Sequence, residues 1–188
     1  MNKKNFFSFK IKPINKILEK TSIFLSLIIL LISFIFIFYC IKNNFFANIS
    51  YRTIKNINKT IGKISEYIFI FSISMFIVRR ILKYIYPFKI NFLSKLLQYI
   101  AVFLRQWHIP LSLLAFSLII LHGYIGLYFG IIKNNLSFKF GYYIGILTLI
   151  NLIFLILSRI FKYNSIKKVH KLLGISFIIL MFIHIVTI

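Results

Sequence analysis

The run WHIPLSLLAFSLIILHGYIGLYFGII, residues 107–132, contains no Lys, Arg, Asp or Glu and places His108 and His122 fourteen positions apart. At about 100° and 1.5 Å per residue, fourteen steps return a side chain to nearly the same helix face, roughly 21 Å further along. A stretch this long and apolar predicts a membrane-spanning helix, where an ionisable side chain is costly and rarely idle. The run VHKLLGISFIILMFIHIVTI, residues 169–188, repeats the pattern with His170 and His184. The chain has 4 His, so every one belongs to a pair. Two such helices side by side would offer two imidazole pairs, one near each membrane face.

The rest of the chain agrees with a lipid environment. Of its 188 residues 60% are hydrophobic and 19% aromatic, with a mean hydropathy of +0.91, more apolar surface than a soluble domain of this size could hide. Its formal charge of +22 comes from 24 Lys and Arg against 2 acids, Glu19 and Glu66. The cations lie between apolar spans, as in juxtamembrane loops, so the basic balance points to lipid headgroups and not to nucleic acid. Two acids leave no paired carboxylates for glycosidic or aspartyl chemistry and no acidic cluster for a hard metal. The lone Cys40 excludes an intramolecular disulfide and a cysteine-ligated iron–sulfur cluster within one chain. Its simplest role is a small buried hydrophobe near a helix end.

Five spans are expected. The first is 22–41, after a basic cytoplasmic tail at 1–21; Ile23 to Ile41 is free of charge and lacks a signal-peptide cleavage pattern. A polar stretch, Asn43 to Lys63, precedes a second span from Ile64 to Tyr86, interrupted by Arg79 and Arg80 and ended by Pro87. Residues Asn91 to Arg105 form an amphipathic stretch that either lies along the interface or extends the third helix. That third span, Trp107 to Ile132, is expected to have Pro110 near its first turn, where a missing N–H does little harm. The fourth covers Tyr142 to Phe161, with Arg159 marking its end, and the fifth runs from Val169 onward. Lys and Arg number 6, 5, 6, 2 and 5 in successive segments from the N-terminus, which places 17 on the side of the N-terminus and 7 on the other. The positive-inside rule therefore favours N-in, C-out. The third and fifth spans are then parallel, so His108 pairs with His170 inside and His122 with His184 outside.

Six-coordinate haem iron in an electron-transfer site takes two strong axial ligands, and neutral imidazole suits it. Such a site needs one His from each of two facing helices and room for a flat macrocycle. Gly123, Gly126, Gly130 and Gly174 are candidates for that room, although Gly126 and Gly130 equally fit a small-xxx-small helix contact. Anionic propionates want cations near the membrane face. Arg105, Lys167, Lys168 and Lys171 are placed for this on the inner side, with Arg79 and Arg80 nearby. On the outer side Lys133, Lys139, Tyr124 and Tyr128 are the candidates. Each cation taken singly also fits an ordinary membrane anchor, and Trp107 an interfacial belt residue. A zinc or copper transporter would usually add carboxylate, Cys or Met ligands, and Met1, Met75 and Met181 make no such set. A proton relay would want Asp or Glu among the histidines.

The run Arg105-Gln-Trp-His108 followed by His122, and Val169-His170-Lys171-Leu172 followed by His184, resemble the ferric-reductase-like transmembrane domain, over roughly residues 64–188. That family includes the membrane parts of ferric reductases and NADPH oxidases and the haem subunit of a bacterial methionine-sulfoxide reductase system. The same paired spacing occurs in the cytochrome b of quinol-oxidising complexes. The resemblance implies an all-α helical bundle whose 64–188 segment is a four-helix dihaem-binding domain. It implies that His108, His122, His170 and His184 ligate two b-type haems, with Arg105 and Lys168 beside the cofactor. It also implies electron flow from inside to outside, in a bacterial cytoplasmic membrane, toward ferric iron or a partner enzyme. Because the chain shows no Gly-rich dinucleotide fingerprint after a strand, the expected electron donor is a separate flavoprotein or a membrane quinol. The further helix that commonly follows the last ligand in the family is missing here. Two other functions stay open on the residues alone: a metal or haem transporter or assembly factor using the histidines, and a structural subunit in which they bridge helices.

Overall fold

The computed structural model describes residues 16–85, 88, 91–132, 136–160 and 166–187. Five α-helices follow one another: α1 (Lys16–Lys42), α2 (Tyr51–Ile85), α3 (Asn91–Ile132), α4 (Leu136–Ile160) and α5 (Ile166–Thr187). All five are long and apolar enough to cross a membrane. The basic tail up to residue 15 and Pro87 lie outside the described residues.

All five helices begin earlier than the sequence reading placed them, α4 at Leu136 and not Tyr142 and α5 at Ile166 and not Val169. Helix α2 starts at Tyr51, so much of the polar Asn43 to Lys63 stretch is helical. Asn91 to Arg105 does not lie apart from the third span but continues into it, making α3 42 residues long. Pro110 consequently sits in the interior of α3 and not near its first turn. A proline there deletes one backbone hydrogen bond and crowds the preceding turn, and the apolar residues on either side carry the helix through that loss. Helix α1 is likewise already helical at Lys16, with Glu19 in its first described turn, where an acidic group suits the helix dipole.

The turn between α1 and α2 is stated by its local chemistry. Asn44, with φ of 46°, adopts the left-handed conformation after the last turn of α1. Phe45 N–H donates to Cys40 O at 3.1 Å and Asn44 N–H to Ile41 O at 3.4 Å, which is the Schellman arrangement with Asn in the usual glycine position. Ser50 caps α2: its Oγ accepts from Thr53 N–H at 3.3 Å.

The chain forms two compact units. The first joins residues 16–30 with 66–115, and in it Phe69, Met75, Ala101, Leu104 and Ala115 are buried. Helices α2 and α3 run antiparallel here, since Ser72 meets both His108 and Ser112 while Phe76 meets His108. The second joins residues 31–65 with the chain from Phe116 onward. Its core gathers Cys40, Phe46, Ile54 and Ile125, flanked by Tyr124 and Tyr128, whose rings lie 6.0 and 5.7 Å from Phe46. Cys40 is 1% exposed, the small buried hydrophobe expected of it.

Within the second unit α4 and α5 form an antiparallel helical hairpin, in which Gly141 meets His184, Asn151 meets Ser176 and Leu155 meets His170. Asn151, 8% exposed, donates from Nδ2 to Ser176 Oγ at 2.6 Å. Ser176→Ala leaves that amide without its acceptor. The expected cost is about 1 kcal/mol of α4–α5 stability, read from unfolding in mixed micelles.

Candidate functional site

Each histidine is anchored from a neighbouring helix through the same nitrogen, Nδ1. His122 on α3 lies 3.1 Å from the carbonyl oxygen of Asn58 on α2. His184 on α5 lies 2.9 Å from the carbonyl oxygen of Gly141 on α4. His170 on α5 lies 3.2 Å from Leu155 O and 3.0 Å from Ser158 Oγ on α4. In the other unit, His108 on α3 lies 3.1 Å from Ser72 O and 2.8 Å from Ser72 Oγ on α2.

These contacts determine the tautomers. A carbonyl oxygen can only accept, so each Nδ1 must carry the proton, and a neutral imidazole then keeps its lone pair on Nε2. The serines agree by proton count. Ser112 Oγ–H donates to His108 O at 2.6 Å, so Ser72 must be the donor in its 2.8 Å contact with Ser112 and can only accept from His108. Ser158 Oγ–H donates to Leu155 O at 2.7 Å and likewise has only a lone pair left for His170. In their neutral form His122 and His184 therefore present an unprotonated Nε2, the form that binds a metal, with Nδ1 oriented as metal-ligating imidazoles usually are. Because the carbonyl of Leu155 remains, Ser158→Ala should leave His170 protonated at Nδ1. Nitrogen NMR of histidine-labelled protein checks this, and the lost contact costs about 1 kcal/mol.

The second unit brings two of the histidines face to edge. The rings of His122 and His184 have centroids 6.1 Å apart and planes 85° apart. A metal–imidazole bond is about 2.0–2.1 Å, and the ring centroid lies roughly 1.1 Å behind the bonding nitrogen, so two imidazoles on opposite sides of one ion have centroids about 6.2 Å apart. An edge-to-face aromatic contact spans the same range. Among the described residues no group of three or more His, Cys, Asp or Glu could hold a metal ion. A bare zinc or copper ion would want more ligands than a histidine pair supplies. A metal that arrives inside a tetrapyrrole, with four ring nitrogens of its own, would need just two.

The remaining candidates are placed as follows. Arg105 is exposed on α3, one turn before His108, and Lys168 and Lys171 are exposed on either side of His170. Arg80 lies 5.9 Å over the ring of Tyr84. Lys133 lies outside the described residues, as do the side chains of Gly130, Lys139, Arg159 and Lys167. Gly126 and Gly174 face neighbouring helices: a Cβ added there would meet Asn58 Nδ2 at 3.8 Å and Leu155 Cδ1 at 3.9 Å. Gly123 has nothing within 4 Å of an added Cβ.

The sequence reading missed the anchoring residues altogether. Asn58 and Ser72 on α2, and Gly141 and Leu155 on α4, are themselves fourteen positions apart, the same interval as the histidines they hold. Their contribution is a backbone carbonyl, which every residue type has, so only the repeated interval could have exposed them. No protein-family model, curated protein or solved structure matches this chain.

Proposed function

We propose that this chain is a multi-pass membrane protein that carries electrons across a bilayer through two b-type haems, as the membrane subunit of a ferric-reductase-like oxidoreductase system. The observation that carries the reading is the pair His122 and His184, each with Nδ1 on a carbonyl of a neighbouring helix and their ring centroids 6.1 Å apart. His122 and His184 would hold one haem and His108 and His170 the other. When bound, haem supplies a one-electron Fe(III)/Fe(II) couple.

The protein's own part is to orient and to exclude. Hydrogen bonds from Nδ1–H strengthen the imidazoles as ligands and hold their rings at a set angle. The apolar helices keep water away, which with ligand type tunes the reduction potential. Arg105 and Lys168 would meet the propionates. Electrons in this reading come from a separate flavoprotein or quinol and pass to a separate acceptor. In this reading the N-terminus is cytoplasmic and the C-terminus is outside, as the distribution of Lys and Arg favours.

The test is a reduced-minus-oxidised spectrum of membranes expressing the chain with haem in supply. A b-type spectrum with about two haems per chain is the expected result. Colourless protein refutes the reading and leaves a metal or haem transporter, or a structural subunit, in its place.

A further inference from the structure

We infer that Gly62 and Gly145 are positioning residues, each omitting a side chain so that one imidazole can lie against a helix backbone. The inference rests on the reading of His122 and His184 as ligands, and it assigns what places them. A Cβ at Gly62 would lie 2.9 Å from His122 Cε1 and 3.0 Å from its Nδ1. At Gly145 the corresponding distances to His184 are 2.7 and 3.1 Å. Ordinary carbon contacts need about 3.5–4.0 Å. Neither position tolerates a methyl group while the ring stays where it is.

The two glycines occupy equivalent places. Gly62 follows the anchoring residue Asn58 by four, and Gly145 follows Gly141 by four. On a helix, residues four apart lie one above the other on one face. Each seat is thus a carbonyl that accepts from Nδ1–H and, one turn on, a missing side chain that admits the ring. Two such seats, on α2 and α4, hold the His122 and His184 rings at 6.1 Å and near right angles. At the site of His108 the equivalent position is Phe76, whose ring packs edge-on against the imidazole at 6.0 Å. The glycine seat is therefore a property of His122 and His184, and it is not shared by His108.

The atoms that block a Cβ belong to the ends of side chains and not to backbone. A methyl group would displace the ring before it displaced the helix. The displaced ring gives up its Nδ1–H bond and its Nε2 moves out of place.

The experiment compares Gly62→Ala and Gly145→Ala with the wild type, each variant also serving as the control for the other's histidine. Full-length protein is placed in phosphatidylcholine vesicles. In protein made without haem, nitrogen NMR should show the hydrogen-bonded Nδ1–H signal of His122 lost or shifted in Gly62→Ala alone, and that of His184 in Gly145→Ala alone. In haem-replete protein the same two variants should lose one of two haems while the wild type keeps both. Unchanged His122 and His184 signals in the seat variants overturn the inference. If the signals move as expected but the wild type takes up no haem, the seats stand and the haem reading falls. Should Gly62→Ala fail to insert, Gly62→Ala combined with His122→Ala decides: recovery supports the seat, because the ring that needed the space is gone, and continued failure overturns it.

Discussion

Membranes carrying His122→Ala or His184→Ala are expected to retain one b-type haem and lose the other, and both variants should lose the same one. Haem content should fall from about two to about one per chain, because a haem held by these two imidazoles would need both of them. The expectation follows from one geometric fact: the two rings already sit 6.1 Å apart, with each Nδ1–H tied to a different helix. Removing either leaves the other ring anchored but alone. Combining the two substitutions should cost nothing further, since both act on one site and such effects are not additive. Retention of both haems in His122→Ala removes His122 from the ligand set. Loss of two distinct spectral components by the two single variants breaks the pair.

The second large effect concerns which histidines share a haem. His108→Ala combined with His170→Ala should keep the component that depends on His122, leaving about one haem per chain. His108→Ala combined with His122→Ala should remove both and leave the protein colourless. The contrast between these double variants is nearly all-or-none, so haem extraction and a difference spectrum decide it. It tests the inference that α3 and α5 run parallel, which comes from the distribution of Lys and Arg along the chain. Pairing of His108 with His184 would reverse the expectation, since His108→Ala with His170→Ala would then abolish both components.

The fold was largely legible in the residues, for a physical reason. Long apolar runs separated by cations identify membrane-length helices without reference to their neighbours, and all five expected spans correspond to helices. The exceptions are places where continuity of backbone hydrogen bonding overrides side-chain polarity. Asn91 to Arg105 and the stretch from Tyr51 to Lys63 are polar or amphipathic, yet each extends an adjacent helix, since adding a residue to a formed helix is far easier than starting one. Pro110 illustrates the same cooperativity, because one missing bond does not end a helix continued on both sides.

What the sequence by itself determined is the set of chemical groups on offer. It holds four imidazoles in two equal intervals, few acids, one cysteine and helices to carry them. Interval and apolarity are local properties of a helix, so they can be read residue by residue. The tertiary structure alone decided which nitrogen of each ring meets a neighbouring helix. That choice is made by backbone carbonyls of Asn58, Ser72, Gly141 and Leu155, groups that carry no signature in residue type. It also decided which glycines matter. Gly123, Gly126 and Gly174 drew attention by standing near the histidines in the chain, whereas Gly62 and Gly145, on other helices, are the ones against the rings. Proximity along one helix is fixed by its 3.6-residue turn, but contact between helices depends on packing.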